Sequence, residues 1–144
     1  MTEDFFAYGT LMCEDIMLAV TGRRLSSLRG FLRDYRRRTV KGEVYPGLIP
    51  GRGGVVEGIV YRDLRDADWA LLDPFEGEMY QRQIVRVTLE DRTSIAAHTY
   101  VVRPEFENRL EASDWDFTKF RQFGKGTFEK QYPGFNALKN RHRT

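Results

Sequence analysis

The sequence predicts an α+β fold, a curled and largely antiparallel sheet of about six strands with short helices at its margins. Three observations predict it. Apolar and polar residues alternate in segment after segment, the period of half-buried strands. The turn signals between most of these segments are too short for parallel crossovers. Helical stretches are few, short and bounded by Gly or Pro.

The elements follow in chain order. Asp4-Phe5-Phe6-Ala7-Tyr8 is an apolar run that ends at a glycine and reads as a buried strand. Residues 13–20 read as a helix, with Glu14 and Asp15 in its first turn and Thr21-Gly22 as its stop. Residues 28–44 carry aromatic and branched side chains edged by arginines, and make one or two strands. Tyr45-Pro46-Gly47-Leu48-Ile49-Pro50-Gly51 reads as a punctuated loop whose apolar contents pack over a neighbour. Residues 54–64 alternate as a strand. Asp66 or Asp68 caps a short helix holding Trp69, Leu71 and Leu72, which Pro74 and Gly77 bring to an end. Residues 80–90 alternate with Val85, Val87 and Leu89 on one face, Glu90-Asp91-Arg92-Thr93 turns, and residues 95–102 return. Asp114 or Asp116 starts a last helix with Phe117 and Phe120 on its inner face, weakened by Gly124 and Gly126. Tyr132-Pro133-Gly134-Phe135 closes the fold. No repeat or linker divides the chain, so residues 1–144 are expected to form a single domain.

Composition excludes several classes. With 41% hydrophobic and 31% charged residues the chain is globular and not disordered, and its 13% aromatic share supplies bulky core material. No stretch approaches the roughly 20 apolar residues that span a bilayer, and Met1-Thr2-Glu3-Asp4 is acidic where a secretory signal is basic. A cytoplasmic location without membrane attachment is the expectation. Cys13 is the sole cysteine, which excludes an internal disulfide or a thiolate zinc cluster. Beside it stand two histidines, His98 and His142, so neither metal nor cofactor is expected. Charge is unevenly spread. Residues 23–41 hold eight basic residues and one acid, Asp34, whereas residues 63–78 hold six acids. The basic stretch reads as the solvated face of a strand, or alternatively as a nucleic-acid surface, although no RNA-binding motif accompanies it.

Three places could carry chemistry. At Tyr8-Gly9-Thr10-Leu11 a strand breaks at glycine and enters a helix, and successive backbone N–H groups at such a corner can converge on an anion. Around Asp73, Glu76 and Glu78, three carboxylates lie at a helix-to-strand junction among bulky apolar residues. Glu76, between Phe75 and Gly77, suits a half-buried acid of raised pKa. Cys13 follows the turn, but a nucleophilic thiol needs a base, and His98 has no motif linking it to Cys13, so a buried small hydrophobe is the better reading. Taken singly, each feature is also common as plain structure.

Taken together they resemble one family. Phe6-Ala7-Tyr8-Gly9-Thr10-Leu11, the segment Tyr45 through Gly51, Val56-Glu57-Gly58-Ile59-Val60-Tyr61, and Leu72-Asp73-Pro74-Phe75-Glu76-Gly77 followed by Tyr80-Gln81-Arg82 occur in that order. This pattern is similar to the γ-glutamylcyclotransferase-like superfamily, in particular its γ-glutamylamine cyclotransferase and plant avirulence-induced-protein branch. The resemblance implies a small barrel-like mixed sheet with peripheral helices. It also implies release of 5-oxoproline from γ-glutamyl compounds, with Glu76 as acid/base and with Tyr8, Gly9, Thr10 and Leu11 binding substrate largely through backbone groups. Tyr100 matches a cavity tyrosine more loosely. Ile59 departs from the family, where many relatives carry Glu. The implied partner is a small γ-glutamyl molecule, with no nucleic acid and with an oligomeric state left open. The alternative is a catalytically silent small-ligand binding module with the same pocket.

Overall fold

Strand β1 (Glu3–Ala7) lies between two neighbouring strands and buries both of its faces, which accounts for the unbroken run Phe5-Phe6-Ala7. The computed structural model describes residues 2–132. In it, β2 (Ser27–Val40), β3 (Pro46–Leu64), β4 (Tyr80–Leu89), β5 (Ser94–Val102) and β6 (Leu110–Asp114) complete a mixed sheet in the order β3-β1-β5-β4-β2-β6. A further antiparallel pairing of β2 with β3 closes five strands into a barrel, and β6 joins β2 near Arg38 and Val40. Strands β1 and β5 run parallel, and the remaining pairs are antiparallel. The α+β barrel with short peripheral helices is therefore as expected.

Strand alternation divides the apolar residues into two layers. Phe6, Leu32, Val56, Val60, Val85, Val87, Ala97 and Val101 come from all five barrel strands and form a cluster without helical residues, the barrel interior. The opposite faces contribute Phe5, Ala7, Tyr61, Tyr80, Tyr100 and Val102 to a second cluster shared with the helices. Those helices are α1 (Glu14–Thr21), α2 (Asp66–Glu76), α3 (Phe117–Lys119) and α4 (Lys125–Gln131), with a π-helical turn over Phe120–Gly124 between the last two. No helix among the described residues is long and apolar enough to cross a membrane.

Several local expectations change. The punctuated segment 45–51 is not a loop, because β3 begins at Pro46 and pairs with β2 from there onward. Proline is tolerated at the first residue of a strand, where a missing N–H breaks no ladder. Gly47 serves packing: a Cβ there would lie 2.5 Å from the Val102 methyl and 2.9 Å from that of Leu110. Arg65, not Asp66 or Asp68, occupies the cap of α2, and Asp68 reaches back to accept from the Arg65 N–H at 2.8 Å. Pro74 lies inside α2, and the helix ends at Gly77 with φ 91°. Asp116, not Asp114, caps α3 and accepts from the Lys119 N–H at 3.1 Å. Residues 133–135 and His142 lie outside the described residues.

The crossing of β1 and β3 generates a stability prediction. A Cβ at Gly58 would collide with the Ala7 carbonyl and sit 2.7 Å from the Phe6 ring. Gly58→Ala is expected to destabilise by about 1–3 kcal/mol. Gly126→Ala, in α4 with open space around it, is expected to stabilise by about 0.5–1 kcal/mol. Urea unfolding of both variants checks the contrast.

Candidate active site

The chain leaves β1 at Ala7, turns at Gly9 and enters a helical turn over Thr10–Met12. Met12 N–H donates to the Gly9 carbonyl at 3.0 Å, and Cys13 N–H to that of Thr10 at 3.1 Å. The N–H groups of Gly9, Thr10 and Leu11 donate to no acceptor among the described residues, although all three residues are buried. Buried backbone donors normally have partners, so three successive unpaired ones mark a place prepared for an acceptor. Glycine is needed here for a reason beyond ligand access. A Cβ at Gly9 would lie 2.8 Å and 3.1 Å from the ring carbons of Pro46.

Glu76 is the last residue of α2 and faces the same cavity as the turn. The other end of α2 is anchored by the buried Asp68, which pairs with Arg23 at 2.5 Å. The Glu76 carboxylate has no hydrogen bond or ion pair among the described residues. Burial first, and the negative charge of Asp73 second, push its pKa up to about 8. The cavity measures about 20 Å3, room for about one water.

Tyrosines make most of the remaining wall, and none of them donates to the Glu76 carboxylate among the described residues. Tyr8 donates to the Tyr100 carbonyl and Tyr80 to that of Pro46, each at 2.7 Å. Tyr132, at the end of α4, donates to the Phe75 and Glu76 carbonyls at 2.7 and 3.0 Å. Tyr100 donates to Asp73 at 2.6 Å, and Arg82 Nε approaches the same carboxylate at 3.3 Å while lying over the Trp69 ring. Burial holds all four phenols above their usual range. Tyr45 differs, because its hydroxyl makes no hydrogen bond among the described residues while its ring packs edge-on against Phe128 and Tyr132.

The structure thus brings together Tyr8, Gly9, Thr10, Leu11, Glu76 and Tyr100 around one cavity. It does not bring in the other candidates. Asp73 has its side chain about half exposed and binds the far side of Tyr100, and Glu78 is exposed, so no second carboxylate converges on Glu76. Cys13 is buried, with its thiol pushed up to about 11 mainly by burial, and His98 bonds Glu3. Among the described residues no group of three or more His, Cys, Asp or Glu is arranged to hold a metal ion. Sequence reasoning did not single out Tyr80, Phe128 or Pro46 as lining residues. Tyr80 and Pro46 stand in quoted motifs, but Phe128 carried no local signal. The basic stretch also divides: Arg23 pairs with Asp68 and Arg29 with Glu57, whereas Arg37 is largely withdrawn behind the glycine turn.

The family model described as gamma-glutamyl cyclotransferase, AIG2-like, matches residues 5–117. The chain belongs to this family. AIG2-like protein D of Arabidopsis thaliana is 32% identical over 132 residues, which cover 90% of this chain and 86% of that one. The solution structure of another Arabidopsis thaliana protein, 24% identical, superposes with a TM-score of 0.72 over 99% of this chain and 86% of its own. A solved gamma-glutamyl cyclotransferase, 16% identical, does so at 0.68 over 96% and 87%. Both structures share the fold. The family read from the four motifs is thereby met.

Glu76 has a measurable thermodynamic signature. The folded protein keeps its proton to about pH 8, whereas the unfolded chain releases it near the ordinary 4.5. Between those values the folded state binds more protons, so this group lowers stability as pH rises. Glu76→Gln is therefore expected to gain stability over wild type between pH 5 and pH 9, by about 1 kcal/mol or more. Urea unfolding of both proteins at the two pH values checks it.

Proposed function

We propose that the protein releases 5-oxoproline from γ-glutamyl amines or γ-glutamyl amino acids, with Glu76 as general acid/base. The observation that carries this reading is one cavity holding a partnerless carboxyl with a pKa of about 8 and three unpaired backbone N–H groups. Family membership supplies the reaction class.

In this reaction the α-amine of the substrate attacks its own γ-carbonyl carbon. A C–N bond to the ring nitrogen forms, and the bond to the departing amine breaks. The attack is intramolecular, so the protein's main task is to hold the folded-back conformer. At neutral pH the amine is an ammonium and must lose a proton first. Glu76, its pKa near the working pH, takes that proton and delivers it to the leaving nitrogen; a second proton, lost as the ring nitrogen becomes an amide, follows the same carboxylate to the departing amine, which leaves as an ammonium, so protons balance without water or cofactor. Negative charge grows on the carbonyl oxygen meanwhile, and the N–H groups of Gly9, Thr10 and Leu11 are the donors suited to receive it. Tyr8 and Tyr100, their hydroxyls tied back, serve as fixed walls.

The leaving group proposed is a neutral or alkyl amine rather than a charged dipeptide. No Lys or Arg among the described residues lines the cavity. Arg82, which could have received a carboxylate, is engaged with Asp73 and Trp69, and Arg52 stands exposed outside the lining. The apolar neighbours of the cavity are Phe5, Leu11, Tyr45 and Phe128. An alkyl chain there gains about 25 cal/mol per Å2 buried, whereas a carboxylate would lose solvation.

Three outcomes are expected. Glu76→Gln folds and loses at least about a hundredfold in turnover. Wild-type kcat/KM rises with pH through a midpoint near 8, since the ionised carboxylate is the active form. In competition among γ-glutamyl-lysine isopeptide, γ-glutamyl-alanine and glutathione, the isopeptide, which leaves through an alkyl amine, exceeds glutathione in kcat/KM, measured by mass-spectrometric detection of 5-oxoproline. Release from none of the three, with 5-oxoproline still bound, would establish a binding module instead.

A further inference from the structure

A charged side chain that is largely buried normally faces an opposite charge. Around Arg37 no carboxylate lies within ion-pair distance of the guanidinium among the described residues. Glu57, Asp116 and Asp114 act on it only from farther off, and Glu57 gives its carboxylate to Arg29 at 2.5 Å. One Arg37 nitrogen, Nη1, donates instead to the backbone carbonyl of Tyr8 at 2.7 Å and to that of Glu57 at 3.2 Å. The guanidinium lies 5.2 Å from the Trp115 ring centre, and Met12 Sδ is 3.7 Å from Nη1. Burial accordingly lowers its pKa from the ordinary arginine value.

The position of the shorter bond matters. The Tyr8 carbonyl and the Gly9 N–H belong to the same peptide group, which is planar and trans, so the two point in opposite directions. With the carbonyl held on Arg37, the Gly9 N–H is turned away from Arg37, which does not line the cavity. A cation bound to the oxygen also polarises the peptide and makes the N–H a stronger donor. We propose that Arg37 is a positioning residue for the active site, setting the direction and strength of the Gly9 N–H from behind the turn. This rests on the cyclotransferase reading above, in which that N–H meets the developing oxyanion. Arg37 touches no substrate. Its whole contribution passes through one peptide group.

A donor aimed at charge that exists chiefly in the transition state affects kcat more than KM. Arg37→Met keeps length and apolar packing against Trp115 but cannot hold the carbonyl, and Arg37→Lys retains a cationic donor. The experiment compares both with wild type in three measurements: kcat and KM for 5-oxoproline release from γ-glutamyl-lysine isopeptide, Tm, and the Gly9 amide proton shift in the ligand-free protein. Arg37→Met is expected to lower kcat about tenfold with KM within about twofold, part of what a lost oxyanion donor costs. Its Gly9 amide proton should move upfield, and Arg37→Lys should recover most of both effects. An unchanged kcat, a change confined to KM, or equal loss in both variants tracking a fallen Tm would overturn the proposal. If wild type releases no 5-oxoproline, the cyclotransferase reading fails on its own. The Gly9 shift then decides about Arg37: movement in Arg37→Met reversed in Arg37→Lys upholds its hold on the turn, and a stationary signal overturns it.

Discussion

The structure depends on leaving one buried carboxyl group without a hydrogen-bond donor of its own. Five phenols line the cavity of Glu76, and four of them are tied to another acceptor, three to backbone carbonyls and one to Asp73; the hydroxyl of Tyr45 bonds no partner among the described residues. Had one of those hydroxyls turned to Glu76, its bond would have favoured the carboxylate and lowered the pKa. The hydroxyl ties therefore do two jobs. They satisfy buried polar groups in the wall, and they leave the single acid both desolvated and free. Asp73 adds its charge from three residues earlier on α2 while its own carboxylate is occupied by Tyr100 and Arg82.

The barrel makes this arrangement affordable by separating packing from chemistry. Its interior is filled from all five strands with Val, Leu, Ala and Phe and takes no residue from the helices; Tyr8, from the glycine turn, is the one cavity residue that belongs to it. The opposite strand faces are then free to carry Tyr80 and Tyr100, roofed by α2 and α4. Tight crossings hold the two layers in register. Gly58 lets β3 pass Ala7 and Phe6, and Gly9 lets the turn press against Pro46. Both contacts fix the turn relative to β3, the strand that begins at the cavity wall.

Much of this was legible in the residues. Alternation located β4 and β5 and the buried face of Val85 and Val87, because period-two patterns survive any tertiary arrangement. The glycine turn and Glu76 were legible from motif order, and Glu76 also from its apolar flanks. What escaped depended on distant partners. Local Pro and Gly signals made a loop of residues 45–51, but pairing with β2 overrode them. Strand β6 buries one residue, Leu110, and so shows no alternation to detect. Arg37 sits between two other arginines, and nothing local distinguishes it. Its withdrawal behind Tyr8, twenty-nine positions away, is a property of the closed barrel alone.

The small size of the cavity has a consequence for energetics. With room for about one water and with Phe128 and Tyr132 among its walls, the pocket and the docking of α4 occupy the same space. α4 is held by the Tyr132 hydroxyl, by ring contacts with Tyr45 and Phe75, and by the ion pair of Lys125 with Asp15 at 2.6 Å. A ligand that enlarges the cavity on the side of Phe128 and Tyr132 displaces some of these contacts, and its affinity is then linked to the docking of α4. A change that tightens α4 then weakens such binding by at most the free energy it adds to docking, even at Lys125, which does not line the cavity.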